Sequence, residues 1–228
     1  MRRSAVRPIT AAIFDFDETI VDLERQHTEA SIALCRQFGE DFLRMPQEFR
    51  FASGSRIIDY VREIRDFFGW TNPVDELAGM RERFFLEACR SSEIRTMPGA
   101  EAAIRRLHDR GLRLAIASSS VASSIDEILR RLGLRGFFQE IVDGSRVQKG
   151  KPDPEAYLVT ARELGVPVDE CVVFEDSQAG VLAARAAAML CIAVRNPGAK
   201  QFQDLTAADL IVTSFEELDL DWIVTRTA

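Results

Sequence analysis

Two acidic residues follow the first apolar stretch of the chain. Residues 10–16 are predicted to form a buried strand, and Asp15 and Asp17 lie at its end. Because residues two apart on a strand point to the same side, both carboxylates should face the same space. Two acids beside an apolar strand are unfavourable unless a hard cation or a reaction compensates their charge. This stretch is therefore the first candidate for a chemical site.

Further polar residues follow later apolar runs. Ser118 comes after one predicted strand, Glu175 and Asp176 come after another, and Lys151 lies in a loop between them. Lysine is rare here, with three lysines among 29 basic residues. A compact ammonium group is therefore expected to have a specific use at Lys151, whereas the nearby Lys149 is expected to be solvated. Since ligands bind beyond the carboxyl ends of strands in α/β sheets, these groups should lie at one edge.

Carboxylates, a hydroxyl and an ammonium group form a set suited to phosphoryl transfer. Oxygen ligands without a His or Cys cluster favour Mg²⁺ over zinc. One carboxylate can act as a nucleophile and form an aspartyl phosphate, while a second can protonate the leaving oxygen and then activate water. A metal ion and a lysine would neutralise the phosphoryl oxygens.

Hydrophobic periodicity divides the chain into two kinds of segment. Residues 20–92, called here the helical insert, show mainly helical spacing, and a helical bundle is predicted there. Beyond them, short continuous apolar strands alternate with helices, which is typical of a parallel sheet covered on both faces. The predicted fold is α/β, with a Rossmann-like parallel-sheet core formed by residues 1–19 and 93–228.

Composition restricts the partners of the protein. The chain has 228 residues, of which 46% are hydrophobic and 29% charged, with a net charge of −7 and an isoelectric point near 5.1. Nucleic acid and anionic membranes need clustered positive charge, so neither is an expected partner. Four scattered cysteines without metal spacing are typical of buried thiols in a reducing compartment. The first apolar run is short and carries Asp15, so no signal peptide or membrane span is predicted, and a cytoplasmic location is expected.

Four short motifs occur in order along the chain. They are a D-x-D-x-T stretch, a Ser after a strand, a K-P-x-P loop and an acidic pair followed by S-x-x-G. In this sequence they are residues 15–19, Ser118, residues 151–154 and residues 175–180. On these motifs the chain resembles the haloacid dehalogenase superfamily, in the branch with a helical cap that includes β-phosphoglucomutase and many sugar-phosphate phosphatases. The resemblance covers nearly the whole chain and makes the helical insert a cap domain.

The resemblance implies a role for each motif residue. Asp15 would be the nucleophile and a magnesium ligand. Asp17 would be the general acid and base, and its backbone carbonyl would also bind magnesium. Ser118 and Lys151 would hold the transferring phosphate, and Asp176 would ligate magnesium.

Other residues of the same motifs would have supporting roles. Glu175 would ligate magnesium directly or through water, and the backbone N–H groups of Phe16 and Ser119 would donate to the phosphate. The neighbouring Ser120 is expected only in a turn or as a capping residue. Dehalogenases of the superfamily lack an acid at the position of Asp17, so dehalogenation is disfavoured.

The chain departs from the family pattern at several positions. Glu18 stands where members commonly have Gly, so its side chain is expected to point to solvent or toward the cap entrance. His27 and Arg56 match cap positions that serve proton-transfer control and second-phosphate recognition in β-phosphoglucomutase. However, Leu23 replaces a threonine of the mutase and Val121 replaces its phosphate-binding lysine. The second-phosphate site of the mutase is therefore incompletely reproduced.

Three functions follow as hypotheses. The first is a Mg²⁺-dependent phosphatase that acts on a small phosphorylated metabolite, with a sugar phosphate as the expected substrate class. The alternative is a phosphosugar mutase, which passes the phosphoryl group to a second substrate hydroxyl rather than to water. The third is a non-catalytic ligand-binding protein, against which the intact motif residues argue. The expected assembly is a monomer or a weak homo-oligomer.

Overall fold

The strands of the protein form two sheets. The computed structural model describes residues 8–50, 54–196 and 203–225, so parts of the predicted core and of the helical insert lie outside the described residues. In chain order the strands are β1 (Ala11–Phe14), β2 (Val21–Asp22), β3 (Arg95–Thr96), β4 (Arg113–Ala117), β5 (Glu140–Val142), β6 (Cys171–Glu175), β7 (Leu190–Val194) and β8 (Leu210–Val212).

Six of these strands form one parallel sheet. Their order is β5-β4-β1-β6-β7-β8, and every neighbouring pair is parallel. Strand β1 lies in the middle of this order, and all four of its residues are buried. A strand covered on both faces needs apolar side chains at every position, which explains its continuous apolar run. The predicted parallel α/β sheet is thereby confirmed.

Helices connect the strands and cover the sheet. They are α1 (Glu24–Gln37), α2 (Gln47–Arg50), α3 (Ile57–Phe68), α4 (Val74–Ser91), α5 (Ala100–Asp109), α6 (Ala122–Arg131), α7 (Glu155–Leu164), α8 (Gln178–Ala186) and α9 (Leu220–Thr225). Alternate residues of β1 serve two cores. Ala12 and Phe14 pack in one hydrophobic cluster, whereas Ala11 and Ile13 pack in another with α7 and α8. The sheet is therefore the middle of three layers.

Helices α1–α4 lie between β1 and the rest of the sheet in the sequence. Their own core includes Leu34 of α1, Val61 of α3 and Leu77 of α4. Strands β2 and β3 pair antiparallel where the chain leaves the sheet and returns to it. Sequence analysis did not predict this pair, because two residues are too few to show an alternating pattern. That the helical insert acts as a separate cap stays a prediction.

The thiol groups and the apolar character of the helices bear on the location of the protein. Cys35, Cys89, Cys171 and Cys191 are all buried and unpaired. No helix among the described residues is both long and apolar enough to cross a bilayer.

Packing around Phe14 yields a first prediction. Its buried ring stacks on Phe174 with centroids 4.7 Å apart and meets Phe138 edge-on at 6.0 Å. Phe14→Ala should therefore lower the free energy of unfolding by about 3–5 kcal/mol. Urea denaturation measures this change. The control is Phe67→Ala, because that side chain is 45% exposed and its loss should cost about 1 kcal/mol or less. Equal losses for the two variants would contradict the described core.

Candidate active site

A small cavity lies where the carboxyl edge of the sheet meets the helical insert. Its volume is about 110 Å³. Asp15 and Asp176 line it from the loops after β1 and β6, and His27 and Arg81 line it from α1 and α4. The predicted strand-end residues therefore do meet at one edge, and helical residues complete the enclosure.

Lys151 links the acids of this edge. Its ammonium Nζ donates to Asp15 Oδ1 at 2.6 Å, to Glu175 Oε1 at 2.5 Å and to the Ala117 carbonyl at 3.2 Å. The Lys151 side chain is only 1% exposed. A buried ammonium needs charged partners, and these two carboxylates outweigh the effect of burial and raise the pKa of Lys151. Lys151 is therefore charged and fixed in place before any substrate binds.

Hydrogen bonds occupy both oxygens of Glu175. Tyr157 donates to Oε1 at 2.7 Å, beside Lys151. Oε2 accepts from the Asp176 and Ser177 backbone N–H groups and from the Ser177 hydroxyl, each at 3.0 Å. Burial acts against ionisation of Glu175, but Lys151 and these donors leave its pKa below the usual value. This saturation suits an orienting role better than direct metal ligation.

Gly180 explains the last position of the S-x-x-G motif. The Ser177 hydroxyl caps α8 by accepting from the Gly180 N–H at 3.0 Å. A Cβ atom added to Gly180 would lie 1.7 Å from Glu175 Oε1. Only glycine leaves room for the Glu175 carboxylate at this point.

The acidic edge carries more negative than positive charge. Burial, opposed by Lys151 and reinforced by Glu175 and Asp17, raises the pKa of Asp15 to about 8. Burial and the neighbouring Glu175 also raise the pKa of Asp176 far above its usual value. These shifts show that one ammonium group does not compensate the acids that surround it.

The donor set of this edge fits a hard cation. Oxygens of Asp15, Glu175 and Asp176 lie within 4.8 Å of one another, and the Thr19 hydroxyl holds Asp176 Oδ1 at 3.0 Å. Carboxylate oxygens without imidazole or thiolate ligands are the donors that Mg²⁺ prefers. The Asp17 side chain is outside this cluster, so its predicted role as a ligand concerns only the backbone carbonyl.

Asp17 has a different set of partners from Asp15. His27 Nε2 lies 2.8 Å from its Oδ1, and the Ser120 hydroxyl donates to its Oδ2 at 2.6 Å. The Ser118 hydroxyl is more distant, at 3.4 Å from Oδ2. Burial would raise the pKa of Asp17, but His27 and the two serines outweigh burial and lower it. Sequence reasoning missed the contact of Ser120, because hydroxyls of turn and capping residues look the same in a sequence.

Arg81 fixes the tautomer of His27. Arg81 Nη2 lies 3.2 Å from His27 Nδ1, and the imidazole stacks on Phe85 with centroids 4.2 Å apart. A guanidinium can only donate, so Nδ1 accepts and the proton of a neutral His27 lies on Nε2. Nε2 is the nitrogen that faces Asp17, which makes His27 the donor in that hydrogen bond.

Arg81 lines the candidate site, although sequence reasoning did not single it out. It is 2% exposed and also donates to the Ser31 hydroxyl and stands over the Tyr60 ring at 5.3 Å. Its Nη1 is buried without a hydrogen-bond partner among the described residues. The sequence does indicate that Arg81 is buried, because it follows Leu77 by four residues and precedes Phe85 by four. This spacing places a charge on the apolar face of α4.

The predicted phosphate-binding residues do not all lie at the small cavity. Ser118 is buried and accepts from the Ser120 N–H at 3.1 Å, while the Ser119 hydroxyl donates to the Gly54 carbonyl of the helical insert at 2.7 Å. The Phe16 ring packs in the hydrophobic core, so only its backbone faces the site loop. Arg56 lies apart from the small cavity, on the wall of a neighbouring one.

Glu18 does not point to solvent, and that part of the expectation was wrong. It is half-buried, and its Oε1 accepts from the backbone N–H groups of Leu23 and Glu24, at 2.8 and 2.7 Å, where α1 begins. Asn196 donates to its Oε2 at 2.7 Å. Burial raises the pKa of Glu18 to about 7. Its φ of 59° lies in the left-handed region that favours glycine, so these bonds are gained against backbone strain.

Comparison with known proteins agrees with this geometry. Residues 9–188 match the family model described as haloacid dehalogenase-like hydrolase. The chain belongs to this family. The resemblance and the hydrolase class expected from the motifs are thereby confirmed.

Relatives with related names cover most of the chain. Hexitol phosphatase B of Escherichia coli (strain K12) is 31% identical over 224 residues, which are 94% of this chain and 96% of the relative. The phosphorylated carbohydrates phosphatase of Thermotoga maritima is 33% identical over 183 residues, 78% of this chain and 81% of the relative. A crystal structure of CbbY from Rhodobacter sphaeroides in complex with phosphate has a TM-score of 0.82 at 26% identity, covering 92% of this chain and 96% of CbbY.

The close approach at Gly180 yields a second prediction. Gly180→Ala should lower the free energy of unfolding by about 3 kcal/mol, because the new methyl group overlaps the Glu175 carboxylate. Gly79→Ala is the matched control, since Gly79 lies in α4 with no atom within 4 Å of an added Cβ. That control should raise stability by about 0.5–1 kcal/mol. Chemical denaturation of both variants checks the prediction, and a neutral Gly180→Ala would contradict it.

The left-handed backbone and the hydrogen bonds of Glu18 yield a third prediction. Glu18→Ala loses the hydrogen bonds to the start of α1 and keeps the unfavourable φ. It should therefore lower the free energy of unfolding by about 2 kcal/mol. Glu18→Gly loses the same bonds but removes the strain, so it should be about 1 kcal/mol more stable than Glu18→Ala. Urea unfolding of the two variants measures the difference. If the alanine variant is the more stable one, the left-handed backbone of Glu18 is contradicted.

Proposed function

We propose that this protein is a Mg²⁺-dependent phosphatase of small phosphorylated metabolites, with sugar phosphates as the substrate class. One observation carries the proposal: Asp15 and Asp17 lie two residues apart but in opposite electrostatic environments. Asp15 faces Lys151 and other carboxylates, while Asp17 faces His27 and hydroxyl groups. Two carboxylates in such different environments can take separate roles, and the D-x-D-x-T motif of the family assigns the nucleophile to Asp15 and the acid–base role to Asp17. The names of the two phosphatase relatives support the same reaction and substrate class.

In the proposed first step the Asp15 carboxylate attacks the phosphorus atom. The ammonium of Lys151 and the hydroxyl of Ser118 hold the phosphoryl oxygens, assisted by the N–H groups of Phe16 and Ser119. Asp17 must carry a proton for this step, so its lowered pKa restricts the step to the protonated fraction of the protein, in which Asp17 gives its proton to the leaving oxygen of the substrate. Asp15 and Asp176 would hold Mg²⁺, which would supply further positive charge for the phosphoryl oxygens.

In the second step water releases phosphate from the aspartyl phosphate. Asp17, now a carboxylate, removes a proton from the attacking water and returns to its starting state. We assign His27 to the positioning of Asp17 and Arg81 to the positioning of His27, because each holds the next by a hydrogen bond. We also propose a reducing, cytoplasmic location, supported by four buried cysteines that are unpaired.

Phosphate release with and without the nucleophile tests the function. The protein should release phosphate from a panel of sugar phosphates in the presence of Mg²⁺, and chelation by EDTA should abolish release. Asp15→Asn should reduce kcat by about 10³-fold or more, since an amide is a poor nucleophile. Lys149→Ala is the control, because its side chain is 74% exposed and should leave kcat unchanged.

Product analysis in the same assay separates the competing functions. Full activity of Asp15→Asn would contradict the assignment of the nucleophile. An isomerised phosphosugar with little free phosphate would favour the mutase instead. Saturable binding of phosphosugars without turnover by the wild-type protein would favour a binding protein.

A further inference from the structure

A second cavity adjoins the candidate active site. It has a volume of about 510 Å³ and lies between α3, α4 and the loops after β4 and β5. Ile57, Ser119 and Ser120 line both this cavity and the smaller one that contains Asp15 and Asp17. The part of a phosphate ester that extends away from the nucleophile therefore has room here. We call this cavity the distal pocket.

The protein's own groups hold the positive charge at the distal pocket. Arg56 is the only basic residue that lines it among the described residues. Arg56 Nε donates to Asp59 at 2.7 Å, and Nη1 donates to the carbonyls of Gln148 and Val147, at 2.8 and 3.4 Å. The Arg56 guanidinium is thus held by the protein rather than presented to a ligand.

Acidic groups also line the distal pocket. They are Asp75, Glu82 and Asp143. Asp143 is buried, and its carboxylate accepts from the Ala122 N–H at 2.8 Å and from the Ser145 N–H at 3.0 Å. These donors are neutral, so they satisfy the oxygens of Asp143 without cancelling its charge. The electrostatic character of the pocket is neutral to negative.

Apolar side chains form much of the remaining wall. They include Ile57, Ile58, Ala78, Val121 and Val147. Carbon and hydroxyl groups of a substrate can be buried against such a wall at little cost. An anionic group would lose its hydration beside three carboxylates and meet a single guanidinium, which the protein already binds.

We propose that the distal pocket selects phosphate monoesters whose far end carries no anionic group, such as sugar or polyol monophosphates, and discriminates against esters with a second phosphate. This inference rests on the proposed phosphatase function and specifies its substrate class. The Val121 side chain on the pocket wall agrees with this selectivity, because it offers a second phosphate neither a charge nor a hydrogen bond.

Matched pairs of esters test the selectivity. The pairs are fructose 6-phosphate with fructose 1,6-bisphosphate and ribulose 5-phosphate with ribulose 1,5-bisphosphate. Each compound is measured as a substrate and as a competitor of p-nitrophenyl phosphate hydrolysis. Each bisphosphate should have kcat/KM at least about ten-fold lower, and bind at least about ten-fold more weakly, than its monophosphate. Equal or better use of the bisphosphates would overturn the proposal.

The two proposals can fail separately. Hydrolysis of both members of each pair with equal efficiency would leave the phosphatase function intact and refute the selectivity alone. Failure to hydrolyse any ester, including p-nitrophenyl phosphate, would refute the phosphatase function and the selectivity that rests on it.

A charge substitution tests the electrostatic cause. Val121→Lys places an ammonium group at the distal pocket and should raise the efficiency of bisphosphates relative to monophosphates by about ten-fold. Val121→Met has similar length without charge and should leave that ratio unchanged. Hydrolysis of p-nitrophenyl phosphate by each variant is measured beside these esters, so that a change in the ratio is separated from a general change in activity. Equal ratios for the Lys and Met variants would contradict the electrostatic cause.

Discussion

The buried ammonium of Lys151 is the interaction on which the site depends. It lies between Asp15 and Glu175, with Nζ 2.6 Å from one carboxylate and 2.5 Å from the other. Without it, the edge of the sheet would bury several carboxylates with no compensating charge, which is strongly unfavourable. Tyr157 and the backbone around Ser177 then fix Glu175, so the network is complete before a substrate arrives. Such preorganisation reduces the reorganisation needed during phosphoryl transfer.

The site is built from two parts of the fold with different tasks. The sheet edge supplies Asp15, the lysine and the acidic cluster. The helical insert supplies His27 and Arg81, which act on Asp17 through hydrogen bonds. Glu18 joins the two parts, because its carboxylate holds the first N–H groups of α1 while its backbone belongs to the loop after β1. The charge that replaces the usual glycine thus has a structural use in this chain.

Sequence patterns predicted the sheet and its polar edge well, because both depend on local features. A strand covered on both faces must be apolar throughout, and β1 lies within the predicted strand at residues 10–16. The motif residues follow strands and therefore meet at one edge. Sequence patterns do not show which hydroxyl faces a given carboxylate, so Ser120 was missed. Tyr157 and Arg81 were also missed, because their partners lie on distant segments that only the tertiary fold brings near.

The position of His27 has a thermodynamic consequence. Asp17 belongs to the sheet edge, whereas the imidazole bonded to it at 2.8 Å belongs to α1 of the helical insert. Any rotation of the insert away from the sheet must break this bond and the bond from Ser119 to the Gly54 carbonyl. Closure of the helical insert over the sheet edge and the proton affinity of Asp17 are therefore reciprocally linked. The difference in closure free energy between ionised and protonated Asp17 equals the free energy by which closure favours ionised Asp17.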